Sequence, residues 1–221
     1  MNSNSSHTRA IPVGLIFDDG FAASSIKTAQ IFESYNLRAV FAVIADTSNF
    51  TSGCGDWSMW NELQRRGHII QPHGQTHVKL SEIPVEQAID SVRQCLESFA
   101  ENLEGFDAKD ALYAFTYNTP TPETIDWLLP RVRAMRIGGD PLLTREDLAS
   151  RVWRSQTDGP HDPFDNFVHY FKRAKNERPA AFFYCLHGLD GEKWGATSSD
   201  NLRRALDMIT SDDRFEYWPL T

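Results

Sequence analysis

Basic blocks, long apolar runs and a cysteine framework are all missing from this 221-residue chain. With a formal net charge of -8 and no Lys/Arg-rich helix, it lacks the face needed to grip nucleic acid or an anionic membrane surface. No apolar run approaches the ~20 residues of a membrane span. The opening residues 1–10 lack the apolar core of a secretory signal and read as a flexible polar tail, so the expected location is cytoplasmic. That favours a soluble or cytoplasm-facing substrate. The three cysteines, Cys54, Cys95 and Cys185, are odd in number and have no metal-type spacing, which predicts reduced thiols. Cys95 falls on a helix-like segment and Cys185 in an apolar run, both as small core residues. Cys54, between Gly53 and Gly55, sits on a loop with nothing beside it to lower its pKa.

What is present suits one substantial core. A hydrophobic content of 41% over this length predicts a single domain, residues 11–221. The 12% aromatic content, with six Trp, fits a sugar-binding cleft as well as a core. Apolar or β-branched runs occur at 11–17, 38–44, 68–71, 112–117, 134–137, 152–155, 181–186 and 215–219. Helix-like segments lie between them at 24–35, 56–66, 84–103, 122–131, 162–176 and 199–211, with Asp56 and Pro122 as helix-start signals. Alternating strands and helices mark parallel β/α units. About seven or eight repeats in this length make a closed or nearly closed barrel more economical than an open sheet.

Two segments carry chemistry. Gly14-Leu15-Ile16-Phe17-Asp18-Asp19-Gly20 is an apolar strand ending in two carboxylates and a glycine. Alternation along a strand sends neighbouring side chains to opposite faces, and Gly20 permits the turn that lets both carboxylates face one cleft. The second segment, Gly67-His68-Ile69-Ile70-Gln71, runs into His73-Gly74-Gln75-Thr76-His77. A helical turn there would return His73 and His77 to one face, the i,i+4 geometry of zinc-binding histidines. Two imidazoles and one carboxylate are a standard three-ligand set for a catalytic zinc with an open position. One carboxylate is left over as a base.

Phe17-Asp18-Asp19-Gly20, His73-x-x-Thr76-His77 and Leu186-His187 resemble, in order, the first, second and fifth motifs of the polysaccharide deacetylases. This is carbohydrate esterase family 4, the NodB-homology domain. The resemblance runs from about residue 11 to residue 220. It implies a distorted, TIM-barrel-like (β/α) barrel of about seven parallel strands, and a metal-dependent amide hydrolase that removes acetyl groups from N-acetylated sugars or their conjugates. It also implies roles: Asp19, His73 and His77 as ligands of one divalent metal, zinc first with cobalt or nickel as alternatives, Asp18 as general base and His187 as general acid. A backbone N–H beside Tyr117 would help hold the oxyanion.

The third motif departs from the family pattern. Where relatives carry Arg-x-Pro-Tyr or Phe, this chain reads Ala114-Phe115-Thr116-Tyr117. The absent arginine normally orients the base, and Arg136 and Arg154 are the candidates to replace it. The fourth-motif aspartate that tunes the acid is not cleanly present. Asp158 and Asp162 lie in the right region, but Asp-Gly and Asp-Pro are turn formers and a turn is the favoured reading. His161 is expected to be exposed, as is the loop carrying Glu192 and Trp194, which would otherwise line the cleft. Three functions therefore stand: an acetamido-sugar N-deacetylase, a hydrolase of a non-sugar amide or cyclic ureide on the same fold, and a non-catalytic carbohydrate-binding descendant. The paired acid and base favour the first two, since binding alone needs neither.

Overall fold

The computed structural model describes residues 9–50 and 53–221. Most of the expected polar tail, residues 1–8, lies outside the described residues. Nine strands and seven helices alternate along the rest: β1 (Ile11–Phe17), α1 (Ala22–Ser34), β2 (Val40–Val43), α2 (Trp57–Arg65), β3 (Ile69–Pro72), α3 (Val85–Asn102), β4 (Leu112–Ala114) and α4 (Pro122–Leu128). They continue as β5 (Ala134–Gly138), β6 (Leu142–Leu143), α5 (Arg145–Ser150), β7 (Val152–Thr157), α6 (Phe164–Glu177), β8 (Ala181–Leu186), α7 (Ser199–Thr210) and β9 (Phe215–Tyr217). Seven parallel strands run in the order β3-β2-β1-β8-β7-β5-β4 and curl into a nearly closed barrel. The short β6 pairs antiparallel with β8, and β9 adds in parallel to the start of β1.

Alternation sorts the side chains into two layers. Val13, Leu15 and Phe17 of β1, with Phe182, Tyr184 and Leu186 of β8, join the helices in the larger apolar cluster. Ile16, Ala42, Ala114, Ala134, Phe183 and Cys185 belong to a smaller one made of strand and loop residues alone, the barrel interior. Ala42, Ala114, Ala134 and Cys185 are small, which leaves room for something larger near the strand tips.

The seam between β3 and β4 is closed by side chains. Leu112 N–H donates to Gln71 Oε1 at 2.8 Å, and His73 Nδ1–H donates to the Ala114 carbonyl at 2.8 Å. Gln71 of β3 and His73 just beyond it therefore do what a backbone ladder does elsewhere, and edge groups that would be buried unpaired are satisfied.

Helix starts follow their local signals. Asp56 caps α2 by accepting from Met59 N–H, and Thr121 and Thr144 form capping boxes on α4 and α5. Three expectations are corrected. The run 112–117 is strand only to Ala114, after which Tyr117 takes φ +53° in a tight turn. Helix α5 and strand β6 were not anticipated; six and two residues are too short to show periodicity. The His73 to His77 segment is not a helical turn. It is an irregular loop that bends at Gly74, φ +90°, and residues 73–79 contain no helical turn.

Candidate active site

Strand register assembles the site. β1 and β8 pair so that Phe17 lies opposite Leu186, and Asp18 N–H donates to the Leu186 carbonyl at 2.9 Å. Asp18 and His187 thus become neighbours that continue the inward-facing sets of their strands. His73 does the same from the end of β3, one residue beyond the strand, its N–H bonded to the Val43 carbonyl of β2 at 2.9 Å. Asp19 would face outward by alternation, but it adopts φ +72°, followed by Gly20 at φ +80°. The turn thus begins on the second aspartate itself, one residue earlier than expected, in a conformation that short polar residues tolerate.

A carboxylate oxygen of Asp19 and one ring nitrogen each from His73 and His77 lie within 4.8 Å of one another. Asp19 Oδ1 is 3.5 Å from His73 Nε2 and 3.3 Å from His77 Nε2, and it is buried without a hydrogen-bond donor among the described residues. A buried carboxylate oxygen with no donor, facing two imidazole nitrogens, is the arrangement a divalent cation completes. The Ala114 carbonyl fixes the proton of His73 on Nδ1 and leaves Nε2 as a lone pair aimed at that point. Burial would raise the Asp19 carboxyl, yet His73 and His77 beside it hold it well below the usual range. Burial would lower the His73 imidazole, yet Asp18 and Asp19 raise it above the ordinary value.

Asp18 is held differently. Arg136 Nη1 lies 2.8 Å from its Oδ1 and 2.7 Å from its Oδ2, while also contacting Cys185 Sγ at 3.0 Å; Nη2 reaches the Phe115 carbonyl at 3.3 Å. Burial pushes the Asp18 carboxyl up, but Arg136, helped by His73 and His187, keeps it below the normal carboxylate value. Arg136 is only 1% exposed. Its strand register explains why it is there: Arg136 of β5 is the pairing partner of Ala114 of β4, the position where the expected arginine is missing. The guanidinium that meets the base therefore comes from the strand beside β4. Arg154, the other candidate, instead pairs with Asp147 on the surface. Cys185 is therefore more than core filler, since its sulfur helps seat the guanidinium.

His187 is buried, with Nδ1 lacking a hydrogen-bond partner among the described residues. Burial lowers its pKa below the ordinary histidine value, against the pull of Asp18 and Asp19. Neither Asp158 nor Asp162 orients it. Asp158 accepts from Tyr184 Oη at 2.5 Å, and Asp162 accepts from Phe164 N–H, Thr197 Oγ1 and Asn201 Nδ2, so both act as loop organisers. His161 is exposed, as expected. Trp194 does line the cleft, edge-on to His187 with centroids 4.7 Å apart, and corrects the expectation of a merely solvated loop. Cys54 faces Phe21 across a backbone bridge; burial pushes its thiol up to about 11, so it is no nucleophile.

Asp18, Asp19, His73, His77, Arg136 and His187 share one cavity of about 620 Å3. Tyr117, 49% exposed, lays its ring on His77 with centroids 4.3 Å apart, and Phe50 covers the same imidazole at 4.7 Å. Phe21, Phe50, Asn118 and Lys193 were not singled out in the sequence. No motif marks them, because they reach the site through loop geometry.

The sequence profile of the polysaccharide deacetylase family matches residues 5–125, more than half the chain. The chain belongs to the polysaccharide deacetylase family. Membership makes it a hydrolase of non-peptide carbon–nitrogen amide bonds, with carbohydrate deacetylation as the activity class. No curated protein sequence matches it. Among solved structures, the chitin deacetylase of Colletotrichum lindemuthianum is similar at 17% identity and TM-score 0.62, over 96% of this chain and 86% of the other. A family 4 carbohydrate esterase from Streptomyces lividans gives 13%, 0.58, 91% and 89% in the same terms. A family 4 pseudoenzyme from Bacillus anthracis, BA3943, gives 11%, 0.55, 93% and 61%. At these identities the likeness is one of fold. For this deacetylase-family chain it agrees with the barrel built from strand pairing.

Proposed function

We propose that the protein removes the N-acetyl group of an acetamido sugar or sugar conjugate by metal-dependent hydrolysis. The observation that carries this reading is the convergence in one cavity of two differently furnished carboxylates: Asp19 beside His73 and His77, and Asp18 beside Arg136 and His187. Asp19, His73 and His77 would hold one divalent cation, and a mixed nitrogen and oxygen set suits zinc, with cobalt or nickel as alternatives. A cation there supplies acidified water and a polarised acyl carbonyl.

Asp18 accepts the proton of the attacking water. Arg136 keeps that carboxylate ionised and aimed, because any rotation breaks contacts at both oxygens. His187, on the neighbouring strand tip, donates a proton to the departing amine nitrogen, without which the leaving group would be an amide anion. A backbone N–H beside Tyr117, a residue that lines the cavity, donates to the developing oxyanion. The ring of Tyr117 and the indole of Trp194 flank the cleft and offer faces against which a pyranose packs.

The test is acetate release from N-acetylated sugars and nucleotide sugars, and ring opening of cyclic ureides, by metal-loaded protein, with Asp18→Asn as control. Release from a sugar, abolished in the variant, supports the reading. Turnover of ureides alone would move the substrate class, and bound metal without turnover of any member would favour a binding protein.

A further inference from the structure

The loop between β8 and α7 is too firmly anchored to be a mere connection. Helix α1 has no side-chain cap of its own. Glu192 supplies one from the far end of the chain: its carboxylate accepts from Ser24 N–H at 2.6 Å and from the Ser24 hydroxyl. Ser24 Oγ in turn accepts from Leu189 N–H at 2.8 Å, and Asp190 ties the loop to Lys27 and to Ser199, 2.6 Å from its N–H. The loop then folds back sharply at Gly188, where a Cβ would meet the Glu192 carbonyl at 1.8 Å. Lys193 is held at φ +64°, a conformation that a long side chain disfavours and that function-bearing loops retain.

This anchoring presents two side chains to the cavity. Trp194 stands edge-on to His187, with Gly159 so close that a Cβ there would lie 2.4 Å from the indole, yet it remains 45% exposed. Lys193 lines the same cavity. Of the other charged groups of the wall, Asp18 is paired with Arg136, and Asp19 faces the two imidazoles with which it would share a cation. Lys193 has no carboxylate within ion-pair distance among the described residues, because the adjacent Glu192 is turned away to cap α1. Across the cleft, Lys79 lies over the Tyr117 ring but is paired with Glu82. One uncompensated cation beside an exposed indole, in a protein of net charge -8, is a local preference for negative charge.

We propose that Lys193 and Trp194 form a subsite for an anionic substituent, so that the preferred substrate is an acetamido sugar bearing a phosphate or carboxylate rather than a neutral oligomer. This rests on the deacetylase reading, and its test separates the two. Binding and turnover of N-acetylglucosamine, N-acetylglucosamine 1-phosphate and N-acetylmuramic acid are measured by calorimetry and acetate release, for the full metal-loaded chain and for Lys193→Met. The unmodified chain is expected to bind at least one anionic sugar more tightly than the neutral one, and Lys193→Met to weaken that sugar by about fivefold or more while leaving the neutral sugar unchanged. The anionic preference should also shrink with added salt. The phosphate and lactyl arms identify which anion is read. Lys193-dependent binding with no acetate release would keep the subsite and overturn the deacetylase reading. No anionic preference, no binding of any of the three, or an equal loss for both classes in Lys193→Met would overturn the subsite.

Discussion

Arg136 and Ala114 are register partners on adjacent parallel strands, and the arginine reaches from one to the base that a residue at the other would be expected to serve. The pair is buried, so removing one charge leaves the other stranded. Arg136→Met should destabilise the fold by about 3–5 kcal/mol and reduce kcat/KM. Denaturant unfolding and acetate release measure the two effects. In the double variant Ala114→Arg with Arg136→Ala, part of both losses should return, because the guanidinium is restored from the neighbouring strand. Failure of the double variant to exceed Arg136→Ala would show that strand position, not charge alone, matters.

The rate profile against pH follows from the two proton-handling groups. Asp18, held below the ordinary carboxylate value chiefly by Arg136 against the effect of burial, must be ionised, so the rate falls only when acid protonates it. His187, pushed below the ordinary 6.5 by burial, must be protonated, so the rate declines as pH rises through a value under 6.5. Steady-state kcat/KM should therefore peak in mildly acid solution. A plateau that continues past neutrality would contradict the burial-driven shift of His187.

The barrel seam offers a test free of chemistry. Gln71→Leu keeps bulk inside the barrel but leaves Leu112 N–H buried without an acceptor, at a cost of about 1–3 kcal/mol. Hydrogen exchange at Leu112 should accelerate in step with the loss measured by denaturant. His73 still bonds Ala114, so the metal-site imidazole should keep its orientation. Unchanged stability would mean that water or a shifted backbone satisfies the seam.

How much of this was legible from residues alone depended on chemistry and length. Asp18, Asp19, His73, His77 and His187 stood out because polar, proton-binding side chains at the ends of apolar runs have few other uses. The barrel was legible from repeated β/α alternation. Arg136 was one of two candidates until the register of β4 against β5 placed it opposite Ala114, and register is a non-local property. The His73 to His77 spacing suggested the wrong local structure, since Gly74 brings the imidazoles together by a bend instead of a helix. The 188–196 loop looked like solvated connection because the partner of Glu192 is Ser24, 168 positions away in sequence.

Elemental analysis of protein purified without chelator tests the account most directly. The native chain should carry about one divalent ion per molecule, and Asp19→Ala, His73→Ala and His77→Ala should each lose it while Asp18→Asn retains it. A native chain free of metal, or ligand variants that bind it undiminished, would contradict the claim that these three side chains close on one cation.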